Sequence, residues 1–241
     1  MIEVINLSKS YQKIKAVKNI NFNIGDNEII GLLGPNGCGK TTTIAMILGL
    51  LKPTKGKVLI NKKNIESHRI ELLHKMNFIS PYIELPKKLT VKQNLIVYAK
   101  LYNVKNMNER IDYLSSTLRL DKFINNLTGE LSSGQKNRVS LAKSLINDPS
   151  VLLLDEPTAS LDPETGNFIR SFLESYTKQK KVSILLASHN MEEVKRLCST
   201  VMMMKNGKII DQGPPNELIK KHGRKNLEEV FLKLARTKDE F

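Results

Sequence analysis

The sequence predicts an α/β fold: a parallel sheet preceded by antiparallel strands and interrupted by an inserted helical segment. Three observations carry this. The apolar run Ile29-Ile30-Gly31-Leu32-Leu33 leads directly into Gly34-Pro35-Asn36-Gly37-Cys38-Gly39-Lys40-Thr41-Thr42, and an apolar helix pattern follows at Ile44, Ile47, Leu48 and Leu51. Residues 151–154 and 182–187 are continuous apolar runs, as expected of strands buried on both faces of a parallel sheet. Between about 90 and 146 the chain reads as mostly helical, opening at the capping box Thr90-Val91-Lys92-Gln93.

Taken in order, residues 1–30 alternate apolar and polar positions (Ile2, Val4, Ile5, Leu7) with Asn, Gly and Asp breaks. That is an antiparallel start. Strand, glycine-rich loop and helix then occupy 27–51. Residues 56–61 read as a short strand pair, and a further strand is expected at 201–205 after the helical insert. Pro214-Pro215 opens a polar C-terminal helix that either docks or protrudes. The expected division is a main domain over 1–213, with the helical part at about 90–146 inserted, and a helical extension over 214–241.

The glycine-rich loop fits G-x-x-x-x-G-K-[ST] between a buried strand and a helix, the context that motif requires. Gly34, Gly37 and Gly39 free the backbone to turn its N–H groups around phosphate oxygens. The helix starting near Lys40 points its positive end at the same anion. Lys40 is expected to reach the β- and γ-phosphates, and the Thr41 hydroxyl to bind Mg²⁺. Pro35, Asn36, Cys38 and Thr42 complete the expected nucleotide loop. Val151-Leu152-Leu153-Leu154-Asp155-Glu156 places two acids at a strand end, where open α/β sheets bind ligands. Asp155 is expected to hold Mg²⁺ and Glu156 to orient or deprotonate water. On spacing and physics alone, these features give a Mg²⁺-dependent nucleotidase with a phosphate-binding loop.

Composition excludes other classes. The 241 residues carry 38 basic and 24 acidic side chains, a net charge of +14. The lysines are scattered, without a basic block or a basic stripe rich in aromatics, so specific nucleic-acid binding is not expected. Two cysteines, Cys38 and Cys198, make no disulfide framework and suit a reducing compartment. The N-terminus lacks the basic and apolar regions of a secretory signal, and the apolar runs are too short to span a bilayer.

Between the two halves of the site lies Leu131-Ser132-Ser133-Gly134-Gln135, followed by a helix with apolar Val139, Ala142, Leu145 and Ile146. At this point the chain resembles the ATP-binding subunit of an ABC transporter. Residues 131–135 look like that family's signature, Asp162 in Ser160-Leu161-Asp162 like its D-loop, His189 like its switch histidine and Tyr11 like its adenine-stacking aromatic. The resemblance covers about residues 2–213, with five motifs in the family's order. It implies a P-loop NTPase core with a RecA-like parallel sheet, ATP and Mg²⁺ as ligands, and a head-to-tail dimer with itself or a similar subunit. In that dimer Ser132 and Gly134 would contact the γ-phosphate of ATP on the facing subunit. Residues 190–194 with Leu197-Cys198 look most like subunits serving exporters with type-2 permeases. The implied protein is cytoplasmic, held at the inner membrane face by a separate permease. The alternative is a non-transport ABC-type ATPase acting on nucleic acid, the ribosome or a protein assembly.

Ordinary structural roles coexist with these. Ser132 and Asp162 are each suited to cap a helix, Asp162 with Pro163 at the first helical position. Asn190 and Glu193 form an N-cap pair. Two positions depart from the family pattern: Ser133 stands where glycine is usual, and Pro81 where a glutamine is expected. Proline can neither coordinate a metal nor donate a hydrogen bond. Ser80 or Glu84 is expected to compensate in part.

Overall fold

A computed structural model describes residues 1–80, 84–159 and 161–236. Pro81 and Ser160 fall outside these, as do residues 237–241.

Two sheets organise the chain. Strands β1 (Ile2–Tyr11) and β2 (Ile14–Ile24) form a hairpin, and β4 (Lys55–Ile60) and the two-residue β5 (Lys63–Asn64) extend it. The order is β2-β1-β4-β5, with all pairs antiparallel. Residues 56–61 are therefore one strand plus a turn, and not the expected strand pair; the partner of β4 is β1, far away in sequence. Asparagine occupies the left-handed region at Asn6 and Asn19, where the β1–β2 register shifts, and in turns at Asn27, Asn61, Asn103 and Asn206; its short polar side chain lowers the cost of positive φ.

The second sheet contains β3 (Glu28–Leu33), β6 (Met76–Ile79), β7 (Val151–Asp155), β8 (Ser183–Ala187), β9 (Thr200–Lys205) and β10 (Lys208–Gly213). Its order is β10-β9-β3-β8-β7-β6, parallel from β9 to β6, with β10 antiparallel at the edge. Every residue of β7 and β8 is buried, which explains the apolar runs at residues 151–154 and 184–187. Sequence reading missed β6. It has four residues, one of them Asn77, and only its pairing with β7 makes it a strand.

Helix α1 (Lys40–Ile47) follows β3, and the short α2 (Arg69–Leu73) precedes β6. Between β6 and β7 come α3 (Val91–Leu101), α4 (Met107–Thr117) and α5 (Ser133–Leu145). Both α3 and α5 start with complete capping boxes, Thr90 with Gln93 and Ser132 with Gln135. Helix α6 (Pro163–Gln179) starts at Asp162, whose carboxylate accepts from the Thr165 N–H at 2.9 Å; Ile169, Leu173 and Tyr176 line its buried face. Helix α7 (Met191–Leu197) follows β8. The C-terminal segment docks: α8 (Pro215–Lys221) buries Leu218, and α9 (Leu227–Arg236) buries Leu227 and Val230. No helix among the described residues is long and apolar enough to cross a membrane.

A buried polar knot fixes the entrance to the helical insert. Asn94 Nδ2 donates to the Pro86, Leu89 and Thr90 carbonyls and to Thr128 Oγ1, at 3.1–3.4 Å. Thr128 Oγ1 in turn donates to Pro86 O at 2.6 Å. Asn94→Ala should lower unfolding stability by about 1–3 kcal/mol, the cost of stranding buried acceptors. Urea titration of the purified protein checks this.

Candidate active site

Three parallel strands bring the site together. Leu32 of β3 and Asp155 of β7 both stand in register with Ala187 of β8. The glycine loop leaves β3, the acid pair ends β7, and Ser188-His189 leave β8, all at one carboxyl edge.

The loop is built by close approach. A Cβ at Gly34 would lie 2.4 Å from the Met204 carbonyl oxygen and from Cys38 Sγ. Gly39 has φ +112°, and a Cβ there would lie 2.5 Å from Ala16 O. Backbone bonds close the turn from the Cys38 N–H to Pro35 O and from the Gly207 N–H to Cys38 O. Lys40 is buried, and its ammonium donates to Gly34 O at 2.5 Å and Pro35 O at 3.2 Å. The lysine thus folds back and braces the loop around a positive charge. Asn36, Gly37 and Thr41 face solvent on the rim; Thr42 is half-buried.

Asp155 is buried beside this charge. Burial and the neighbouring Glu156 carboxylate push its pKa up, while Lys40 and His189 pull it down. Glu156 sits at φ +51°, uncommon outside glycine, with its N–H donating to Ala187 O at 2.8 Å. The His189 N–H donates to Glu156 Oε2 at 3.2 Å. Oε1 is buried, makes no hydrogen bond among the described residues, and lies 3.3 Å from His189 Nε2. The His189 ring is half-exposed.

The other sequence-derived positions lie apart. Tyr11 closes the β1–β2 hairpin opposite Ile14 and is 45% exposed, with Lys9 Nζ 5.3 Å from its ring centre. Ser132 and Gly134 open α5; a Cβ at Gly134 would meet Thr165 Oγ1 at 3.3 Å. Among the described residues no hydrogen bond joins either to 34–42. Ser133 is the first helical residue of α5 and has no positive φ, so its side chain is accommodated. Near the Pro81 position, Ser80 is buried, and Glu84 pairs with Lys87 at 2.7 Å on the surface.

Cys38 departs from expectation. Its place beside Lys40 and a helix start suggests a reactive thiolate that nucleotide would protect from alkylation. The side chain is instead 3% exposed, and burial pushes its thiol up, outweighing the pull of Lys40. Cys198 packs under Gly31, and burial raises its thiol too. Maleimide should therefore label both cysteines slowly in the folded protein and rapidly in 6 M-scale denaturant, about the concentration that unfolds a hyperstable domain. Peptide mapping with and without denaturant reads the difference.

The model of the ABC transporter family matches residues 17–159. The chain belongs to the ABC transporter family. Among ABC transporter relatives, it is 36% identical over 231 residues to the bacitracin transport ATP-binding protein BcrA of Bacillus licheniformis, covering 95% of this chain and 74% of that one. It is 32% identical over 244 residues to the ABC transporter ATP-binding protein NatA of Bacillus subtilis, covering 98% and 99%. The fold matches a dimeric post-hydrolysis state of the ATP-binding cassette MJ0796 bound to ADP and Pi, with TM-score 0.81 and 26% identity over 89% of this chain and 98% of that one. The protein is thus an ATP-binding subunit of the ABC type and an ATP hydrolase, on the expected α/β P-loop NTPase core.

Proposed function

We propose that this subunit drives export through a separate membrane permease, by closing on ATP as a head-to-tail dimer with itself or a similar subunit. The observation that carries the catalytic part is the buried, unbonded Oε1 of Glu156 beside His189 and the lysine-braced loop. A carboxylate oxygen held there without a hydrogen bond is suited to accept a proton from water attacking a γ-phosphate. His189 and Lys40 would supply donating groups to the phosphates, as phosphoryl transfer requires. Residues 34–42 cradle the phosphates, Tyr11 offers an exposed face to adenine, and Ser132 with Gly134 serve the ATP of the facing subunit.

The donor set suits Mg²⁺, a hard cation that takes carboxylate and hydroxyl oxygens together with substrate phosphates. Asp155 is a buried carboxylate whose protonation is eased by Glu156, so a cation there would relieve the repulsion. Thr41 offers a hydroxyl on the loop rim. No cluster of three or more His, Cys, Asp or Glu forms among the described residues, so the metal would depend on the nucleotide for its remaining ligands. When bound, it would neutralise phosphate charge.

Residues 1–213 are read as the ATPase domain, with 90–146 inserted, and 214–241 as its extension. The reading of export is supported by a further relative, the Nod factor export ATP-binding protein I of Rhizobium johnstonii, to which the chain is 38% identical over 221 residues, 90% of this chain and 70% of that one. The position is peripheral at the inner membrane face, and specific nucleic-acid binding is not part of the reading. Copurification from gently solubilised membranes tests it. An integral membrane partner is the expected result; ribosomes or nucleic acid in its place would overturn it.

A further inference from the structure

We infer that Glu193 is a positioning residue for hydrolysis: from α7 it clamps the loops carrying Glu156 and His189 into one arrangement. The inference rests on the proposed roles of those two residues. Glu193 is fully buried, yet it is a carboxylate on the first turn of a helix. Its Oε1 accepts from Thr158 Oγ1 at 2.8 Å, and its Oε2 from Ser188 Oγ at 2.6 Å. Thr158 lies two residues after Glu156, and Ser188 immediately before His189. One side chain therefore ties together the segments that leave β7 and β8.

Helix capping does not account for this. In a capping box the N3 carboxylate reaches back to the N-cap N–H. Here the Asn190 N–H donates to Ser188 Oγ, and Asn190 Oδ1 accepts from the Glu193 N–H. Glu193 is left to serve the two hydroxyls. Packing does not account for it either. A buried carboxyl costs stability unless fully bonded, and an apolar residue of similar size would fill the space more cheaply. The segment is held from its other side as well: Asn137 of α5, the signature helix, donates to Pro157 O at 2.6 Å. Glu156 thus stands at a left-handed backbone position fixed by tethers from α5 and α7, beside a histidine whose own loop shares the second tether.

The test compares kcat, ATP affinity and Tm in the purified full chain. Glu193→Met keeps length and apolar packing but accepts neither hydroxyl. It should lower kcat about tenfold to a hundredfold, the scale of a small misplacement of reacting groups. ATP affinity, set by the untouched loop at 34–42, should stay within threefold. Glu193→Gln can still join both hydroxyls, one through its carbonyl and one through its amide, and should restore kcat to within about threefold of wild type. Thr158→Val removes one tether only and should give an intermediate kcat, which keeps the test open if the methionine variant does not fold. Wild-type kcat in both Glu193→Met and Thr158→Val would overturn the inference, as would equal losses in the Gln and Met variants. Glu156→Gln is run alongside: if that variant hydrolyses normally, the site reading fails first, whereas loss there with intact Glu193→Met and Thr158→Val fails this inference alone.

Discussion

Glu156→Gln is expected to bind ATP with near wild-type affinity while its turnover falls by about two to four orders of magnitude, the range spanned by loss of a general base. The exchange is nearly isosteric. The amide oxygen can still accept the His189 N–H that Glu156 Oε2 accepts at 3.2 Å, so the loop should keep its place. What is lost is the basic oxygen that stands buried, without a hydrogen bond, 3.3 Å from His189 Nε2. The lysine-braced phosphate loop is untouched, so binding persists, and a subunit that closes on ATP but cannot hydrolyse it should accumulate as a dimer. Size-exclusion chromatography with and without ATP, with phosphate release measured in parallel, checks both halves. A variant that stays monomeric and hydrolyses at the wild-type rate would remove Glu156 from the mechanism.

Lys40→Ala should fail one step earlier. The Lys40 ammonium is buried and donates to Gly34 O and Pro35 O. On the proposed reading, the same ammonium serves the phosphates when nucleotide binds. Removing it should weaken ATP binding about a hundredfold, or about 3 kcal/mol. Thermal denaturation provides a clean readout. Saturating ATP should raise the Tm of the wild-type protein through mass action on the folded state, and that rise should largely vanish in the variant at the same ATP concentration. An undiminished shift would show that Lys40 does not hold the phosphates. The two variants separate binding from chemistry: Glu156→Gln keeps the thermal shift and loses turnover, whereas Lys40→Ala loses both.

The features legible in the sequence share a property: their cause is local. The glycine loop announces itself because the left-handed backbone at Gly37 and Gly39 belongs to one short segment with fixed spacing. The helix starts at Thr90, Ser132, Asp162 and Asn190 were readable because a capping side chain bonds an N–H three residues on. Strands β7 and β8 were readable because burial on both faces leaves an unbroken apolar run. The features missed or misread depend on distant partners. Strand β6 exists through its pairing with β7, 75 residues on by the register Met76 to Val151. Strand β4 pairs with β1, so its own neighbourhood suggested the wrong companion.

The sequence by itself determined the chemistry of this protein. A phosphate loop, an acid pair at a strand end and a serine-glycine helix start are short-range patterns, and their order along the chain carries the family resemblance. Only the tertiary structure decided which side chains face solvent and which face each other. It buried Cys38 behind the loop, where its sequence position suggested an open thiolate. It showed that Glu193, whose N–H Asn190 caps as the sequence suggested, also bridges Thr158 and Ser188 through its side chain. It also aligned Leu32, Ala187 and Asp155 across three strands, so that loops starting near residues 34, 156 and 188 meet at one edge. The physical reason is the same in each case: burial and register are set by contacts between segments far apart in the chain, and no local pattern encodes which segment will arrive.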